Sequence, residues 1–143
     1  MKFWDSSALV PLLIQEADTK VMRSLLDEDR QVVVWATTAV EITSALWRRH
    51  RAGEIGDAAC ATALDGLGVL ERSWSVIVDL AQVATRARRI LAGHPLRAAD
   101  ACQLAAALVA CRDRTADLAF VTLDDRLAGT AGKEGLRVQP SAR

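Results

Sequence analysis

Four carboxylates stand out by position: Asp5 in FWDSSALV, Glu41 in TTAVEITSAL, Asp100 in LRAADACQLA and Asp124 in FVTLDDRL. Each falls just after a predicted strand or within about the first turn of a predicted helix. In open α/β sheets such positions line the crevice outside the strand C-terminal ends. Carboxylates about 4 Å apart repel by roughly 4 kcal/mol per pair at an effective dielectric of about 20, so a shared site raises their pKa values unless a cation joins them. Oxygen donors without a His or Cys cluster select Mg²⁺ or Mn²⁺ over Zn²⁺, and Mg²⁺ takes one or two carboxylates directly while keeping several waters. The expected direct ligands are Asp5 and Asp100. Glu41 and Asp124 are expected to act through water or on a second ion, with Ser6 and Thr122 as supporting hydroxyls.

Each acid also has a structural role to compete with. Asp5 precedes Ser6 and Ser7 and suits a helix N-cap. Thr38-x-x-Glu41 reads as a capping box, in which the glutamate reaches back to the N-cap amide. Asp124 suits the cap of a short helix, with Asp125 as competitor. Asp100 is different, because the segment 98–111 is apolar nearly all round apart from Asp100 and Gln103, the pattern of a buried helix. A carboxylate there needs compensation, and the nearby cation at helical spacing is Arg97. Asp100 therefore carries most weight in the metal reading.

The elements that must position these residues alternate along the chain. Short apolar strands are predicted at 2–4, 31–35, 75–78, 118–122 and 136–138, and helices at 7–15, 17–27, 39–52, 57–67, 80–91, 98–112 and 126–131. Connections this long suit right-handed helical crossovers between parallel strands. The two helices parted by Gly53-Glu54-Ile55-Gly56 predict a helical hairpin projecting from the sheet. The expected fold class is α/β, with residues 1–143 as one domain.

Composition narrows the class. A chain of 143 residues with 51% hydrophobic and 25% charged residues can bury a real core. The three cysteines form no C-x-x-C pair, and Asp5 interrupts any secretory apolar run, so a reduced, cytoplasmic protein with no membrane span is expected. Formal net charge is zero, with 18 bases against 18 acids. Gathering four acids at one site leaves the remainder with an excess of four positive charges, and 15 of the 18 cations are arginine.

In order and spacing, Asp5-Ser6-Ser7-Ala8-Leu9, Glu41 early in a helix, Leu96 to Ala101 around Asp100, and Phe120-Val121-Thr122-Leu123-Asp124 resemble the PIN domain, most of all the VapC toxins of toxin–antitoxin pairs. The similarity extends to the closing strand Gly135-Leu136-Arg137-Val138. The resemblance implies a three-layer α/β/α fold around a mainly parallel sheet of about five strands. It also implies Mg²⁺-dependent endoribonuclease activity, a homodimer and a cognate antitoxin. The family's acidic positions carry over onto Asp5, Glu41, Asp100 and Asp124, and its small polar residue after the first aspartate onto Ser6.

RNA approaching an acidic centre needs a cationic rim. Arg48, Arg49 and Arg51 end the helix bearing Glu41, and Arg86, Arg88, Arg89 and Arg97 precede Asp100. The four tryptophans, Trp4, Trp35, Trp47 and Trp74, are expected in the core and receive no site role. Apolar runs in the early helices and the helical hairpin suit a groove for an antitoxin segment. Neither His50 nor His94 lies by an acidic motif, against a metal-independent ribonuclease built on histidine. Two other readings compete: a PIN-like module that binds RNA or protein without cleaving, and a phosphoacceptor receiver domain. The receiver is disfavoured by a lone Asp5 where an acidic pair is wanted and by lysines only at Lys2, Lys20 and Lys133.

Overall fold

Side-chain alternation along the strands divides the core in two. In the computed structural model, which describes residues 1–141, the strands are β1 (Lys2–Trp4), β2 (Val32–Trp35), β3 (Ser75–Ile77), β4 (Ala119–Val121) and β5 (Arg137–Gln139). The helices are α1 (Ser6–Leu13), α2 (Thr19–Glu28), α3 (Thr38–Arg51), α4 (Asp57–Glu71), α5 (Leu80–Gly93), α6 (Ala98–Ala110) and α7 (Asp125–Lys133). Phe3, Val33, Trp35 and Phe120 point to one face of the sheet and pack with α5, α6 and α7. Trp4, Val32, Val34 and Val121 point to the other face and pack with α1 to α4. Successive strand residues face opposite sides, so a short, evenly apolar strand serves both layers at once.

All strand pairs are parallel, in the order β3-β2-β1-β4-β5. The result is the three-layer α/β/α arrangement with a five-stranded sheet. From β1 the chain moves outward through β2 to β3, then crosses to β4 and β5 on the other side. The reversal of direction leaves a crevice at the C-terminal ends of β1 and β4, where open α/β sheets hold their ligands.

The helical hairpin is α3 and α4, and it is seated on α1, with Ile42, Leu46, Ala63 and Leu67 entering the second core. Its bend follows from Gly53, whose φ of +74° suits glycine. There Glu54 N–H donates to Arg49 O at 2.9 Å and Gly53 N–H to His50 O at 3.0 Å, closing the last turn of α3. The edge strand β3 departs from an evenly buried pattern: Val76 is 43% exposed and Val78, just beyond it, 73%. Among the tryptophans, Trp4 and Trp35 are buried as expected, whereas Trp47 is 41% exposed. The cysteines are free thiols, Cys60 and Cys111 buried and Cys102 half-buried. Among the described residues no helix is long and apolar enough to cross a membrane.

Candidate active site

Asp5 is the innermost acid, only 4% exposed. Its backbone N–H extends the β1–β4 ladder by donating to Val121 O at 2.9 Å. The same residue caps α1. Oδ2 accepts from the Ser7 amide at 3.2 Å, from the Ser7 hydroxyl and from Thr122 Oγ1 at 3.0 Å. Burial pushes the Asp5 carboxyl above its ordinary pKa; the Ser7 and Thr122 hydrogen bonds offset part of that rise, and the Glu41 charge adds to it. One side chain therefore both caps α1 and lines the crevice at the end of β1.

Glu41 does not make the expected capping box. The N-cap of α3 is Thr37, which places Glu41 one position too late to reach back to the cap amide. Instead Oε1 accepts from Thr37 Oγ1 at 2.8 Å, while Oε2 accepts from Ser6 Oγ at 3.1 Å and Gln103 Nε2 at 3.0 Å. Ser6 Oγ also lies 3.5 Å from Asp5 Oδ1, so one hydroxyl sits between the two acids.

The burial expected of Asp100 falls on Asp5 instead. Helix α6 is indeed buried along most of its length, yet Asp100 lies in its first turn, at the open end of the sheet, and is half-buried. Arg97 is the N-cap residue, just outside the helix. Partial burial and the Asp124 charge raise the Asp100 pKa, Arg97 opposes the rise, and Glu41 adds to it. Asp124 is exposed and caps α7, with Oδ1 accepting from Leu127 N–H at 2.8 Å. Its neighbour Asp125 opens α7 and does not line the same crevice.

All four expected acids line one open crevice of about 720 Å³, together with Ser6, Ser7, Arg48, Arg49 and Arg97. The PIN domain family model matches residues 2–133. The chain belongs to the PIN-domain family. Two solved structures share the fold of this PIN domain. PAE2754 from Pyrobaculum aerophilum is 22% identical, with a TM-score of 0.63 over 96% of this chain and 87% of that one. FitAcB from Neisseria gonorrhoeae is 17% identical, with a TM-score of 0.64 over 96% of each chain. No curated protein matches the chain in sequence. Family membership replaces the receiver-domain alternative.

Two polar residues of this PIN domain are nearer the acids than their sequence positions suggested. Ser7 makes closer contacts to Asp5 than Ser6, whose hydroxyl lies 3.5 Å away, and the Ser7 oxygen also accepts the Leu123 N–H at 3.0 Å. Gln103, fully buried in α6, bonds both Glu41 and the buried Thr38, tying α6 on one face of the sheet to α3 on the other. The visible signal for Gln103 was its polarity in an apolar helix; for Ser7, the serine doublet after Asp5.

The cations sort by the same geometry. Arg49 is ion-paired with Glu16, and Arg48 is exposed at the wall formed by α3. Arg86 and Arg89 pair with Asp113 and Glu134 on α5's own side and do not line the crevice. His50 and His94 bond to Asp57 and Glu134 and stand apart from it. Among the described residues no three His, Cys, Asp or Glu side chains are grouped tightly enough to form a ready-made metal cage. The donor set does fit a hard ion of low ligand demand, since it is oxygen-only and the neighbouring charges, Glu41 on Asp5 and Asp124 and Glu41 on Asp100, help to raise the pKa values of Asp5 and Asp100.

Proposed function

We propose that this PIN domain is a Mg²⁺-dependent endoribonuclease acting in the cytoplasm as the toxin of a toxin–antitoxin pair. One observation carries the reading. The four acids predicted from sequence line a single crevice at the topological switch point, with arginines on its walls. Asp5 and Asp100 would hold Mg²⁺, or Mn²⁺ in its place, with Glu41 and Asp124 engaging it through water or holding a second ion. The ion when bound supplies Lewis-acid polarisation of a phosphodiester oxygen and activation of water.

The chain's own residues supply orientation. Ser7 and Thr122 fix the Asp5 carboxylate, and Ser6 and Gln103 fix that of Glu41. Asp5, held at the floor of the crevice, keeps one oxygen directed toward Ser6 and Glu41. Arginine at the walls attracts the flanking phosphates that the acids would repel. The antitoxin and a homodimer belong to the same reading, which rests for them on family membership and on exposed apolar side chains such as Val76, Val78 and Leu80.

The decisive experiment incubates the purified protein with total RNA plus Mg²⁺ or EDTA, beside Asp5→Asn and Asp100→Asn. Cleavage is expected only with Mg²⁺ and only in the unsubstituted chain. Cleavage in EDTA, or full activity in both variants, would refute the mechanism. A small DNA-binding protein encoded next to this gene and co-purifying with the chain tests the toxin role separately.

A further inference from the structure

Trp47 is the tryptophan that the fold leaves outside. At 41% exposure it differs from Trp4 and Trp35, both almost completely buried. It lies on α3, the helix that presents Glu41. Helical spacing puts Val40, Ser44, Trp47 and Arg51 in one outward stripe, and Val40 and Ser44 already line the acidic crevice. Arg48 lines it too, about 10 Å along the helix from Glu41 at ~1.5 Å per residue.

The exposed indole is braced. Its ring stands perpendicular to that of His50, with centroids 5.5 Å apart, and His50 Nε2 is 2.6 Å from Asp57 Oδ1 at the start of α4. A braced ring loses less conformational freedom when something stacks on it. Nearby Arg49 is committed to Glu16, whereas Arg48 is exposed and lines this wall of the crevice. An aromatic face beside an arginine is the combination by which proteins hold single-stranded nucleic acid, the base stacking on the ring and the phosphate pairing with the guanidinium.

We propose that Trp47 and Arg48 form a positioning subsite for a single-stranded RNA nucleotide flanking the scissile bond. Trp47 stacks the base and Arg48 holds the phosphate. The proposal rests on the ribonuclease reading and adds the two residues that hold a flanking nucleotide and the wall along which the substrate runs. Stacking tolerates every base, so the subsite sets direction and distance more than sequence.

The test measures binding of a fluorescein-labelled, random-sequence single-stranded RNA pool to the whole protein in EDTA, by anisotropy across a salt series. Trp47→Ala is expected to raise Kd about tenfold and leave the salt slope unchanged. Arg48→Ala is expected to raise Kd and flatten the slope of log Kd against log salt by about 1, while Arg23→Ala on α2 does neither. Trp47→Phe and Arg48→Lys should recover most of the binding. With Mg²⁺ present, KM should rise in both alanine variants and kcat should stay within about twofold of wild type. Wild-type Kd and slope in both alanine variants, with wild-type cleavage intact, would overturn the subsite and leave the ribonuclease reading standing. A wild-type protein that neither binds nor cleaves the pool would remove both.

Discussion

Gln103 Nε2 donates to Glu41 Oε2 at 3.0 Å, joining helices on opposite faces of the sheet above the end of β2. The same amide nitrogen lies 3.2 Å from Thr38 Oγ1, and both Gln103 and Thr38 are fully buried. Gln103→Leu keeps the volume but strands the Thr38 hydroxyl, at a cost of about 1–3 kcal/mol. It also frees Glu41 from one of its three partners among the described residues. Chemical denaturation should show the lost stability, and RNA cleavage should fall through kcat. The double variant Thr38→Val, Gln103→Leu should regain much of the stability without regaining cleavage, because an apolar pair leaves no buried polar group unmet. Equal recovery of both would make Gln103 a purely structural residue.

The raised pKa of Asp5 sets a pH dependence in the metal-free protein. Burial makes protonation easier in the folded chain than in the unfolded one. A raised carboxyl pKa contributes stability that is fully present below the unfolded value of about 3.9 and is lost as pH rises through the folded value. In EDTA, Asp5→Asn removes that loss. Its melting temperature relative to wild type should therefore climb as pH rises above about 4. At neutral pH, Mg²⁺ should raise the wild-type melting temperature and leave that of Asp5→Asn nearly unchanged. A difference between the two proteins that stays flat with pH would show that Asp5 ionises without penalty.

The elements and the four acids were legible in the sequence for different reasons. Strand and helix positions followed from hydrophobic period, and their ends moved by only a few residues, as where α4 runs on to Glu71. The acids were visible because strand ends and helix starts bring four carboxylates to one rim of a parallel sheet, where their crowding is costly without a shared cation. Burial was read less well. Asp100 looked deepest because helix α6 is apolar, but its place in the first turn puts it at the rim, whereas Asp5 looked like an ordinary cap and is enclosed by Ser7, Thr122 and the end of β4. Periodicity along one helix says which face is buried and not how far each turn lies from the sheet's end. Trp47 escaped for a related reason: only the packing of α3 on α1 and α4 decides which of its faces is left to solvent.

Ser6 and Ser7 should separate in mutants although they are adjacent. Ser7 Oγ donates to Asp5 Oδ2 and accepts from Leu123 N–H, and it lies 3.3 Å from Thr122 Oγ1. Ser7→Ala therefore leaves a part-buried amide and a buried carboxylate short of partners and should cost about 1–3 kcal/mol. Among the described residues the Ser6 hydroxyl bonds side chains at the crevice, Glu41 and Asp5. Ser6→Ala should cost well under half as much stability and still reduce cleavage, by releasing Glu41. Thermal melts of both variants beside their RNA turnover would check this. The reverse order of stability would mean that Ser6 carries the structural role.

Asp124 allows its two roles to be taken apart by choice of substituent. Its Oδ1 caps α7 by accepting the Leu127 amide, and its charge raises the pKa of Asp100 across the crevice. Asn is as good an N-cap as Asp, so Asp124→Asn keeps the cap while removing the charge; Asp124→Ala loses both, with a cap cost of about 1 kcal/mol. Stability should therefore fall in the alanine variant alone. Cleavage, if Asp124 engages the ion, should fall alike in both, with the loss deepest at low Mg²⁺ and partly relieved at high Mg²⁺. Should Asp124→Asn cleave like wild type at every Mg²⁺ concentration while Asp124→Ala does not, the aspartate would be a cap and the site would consist of Asp5, Glu41 and Asp100.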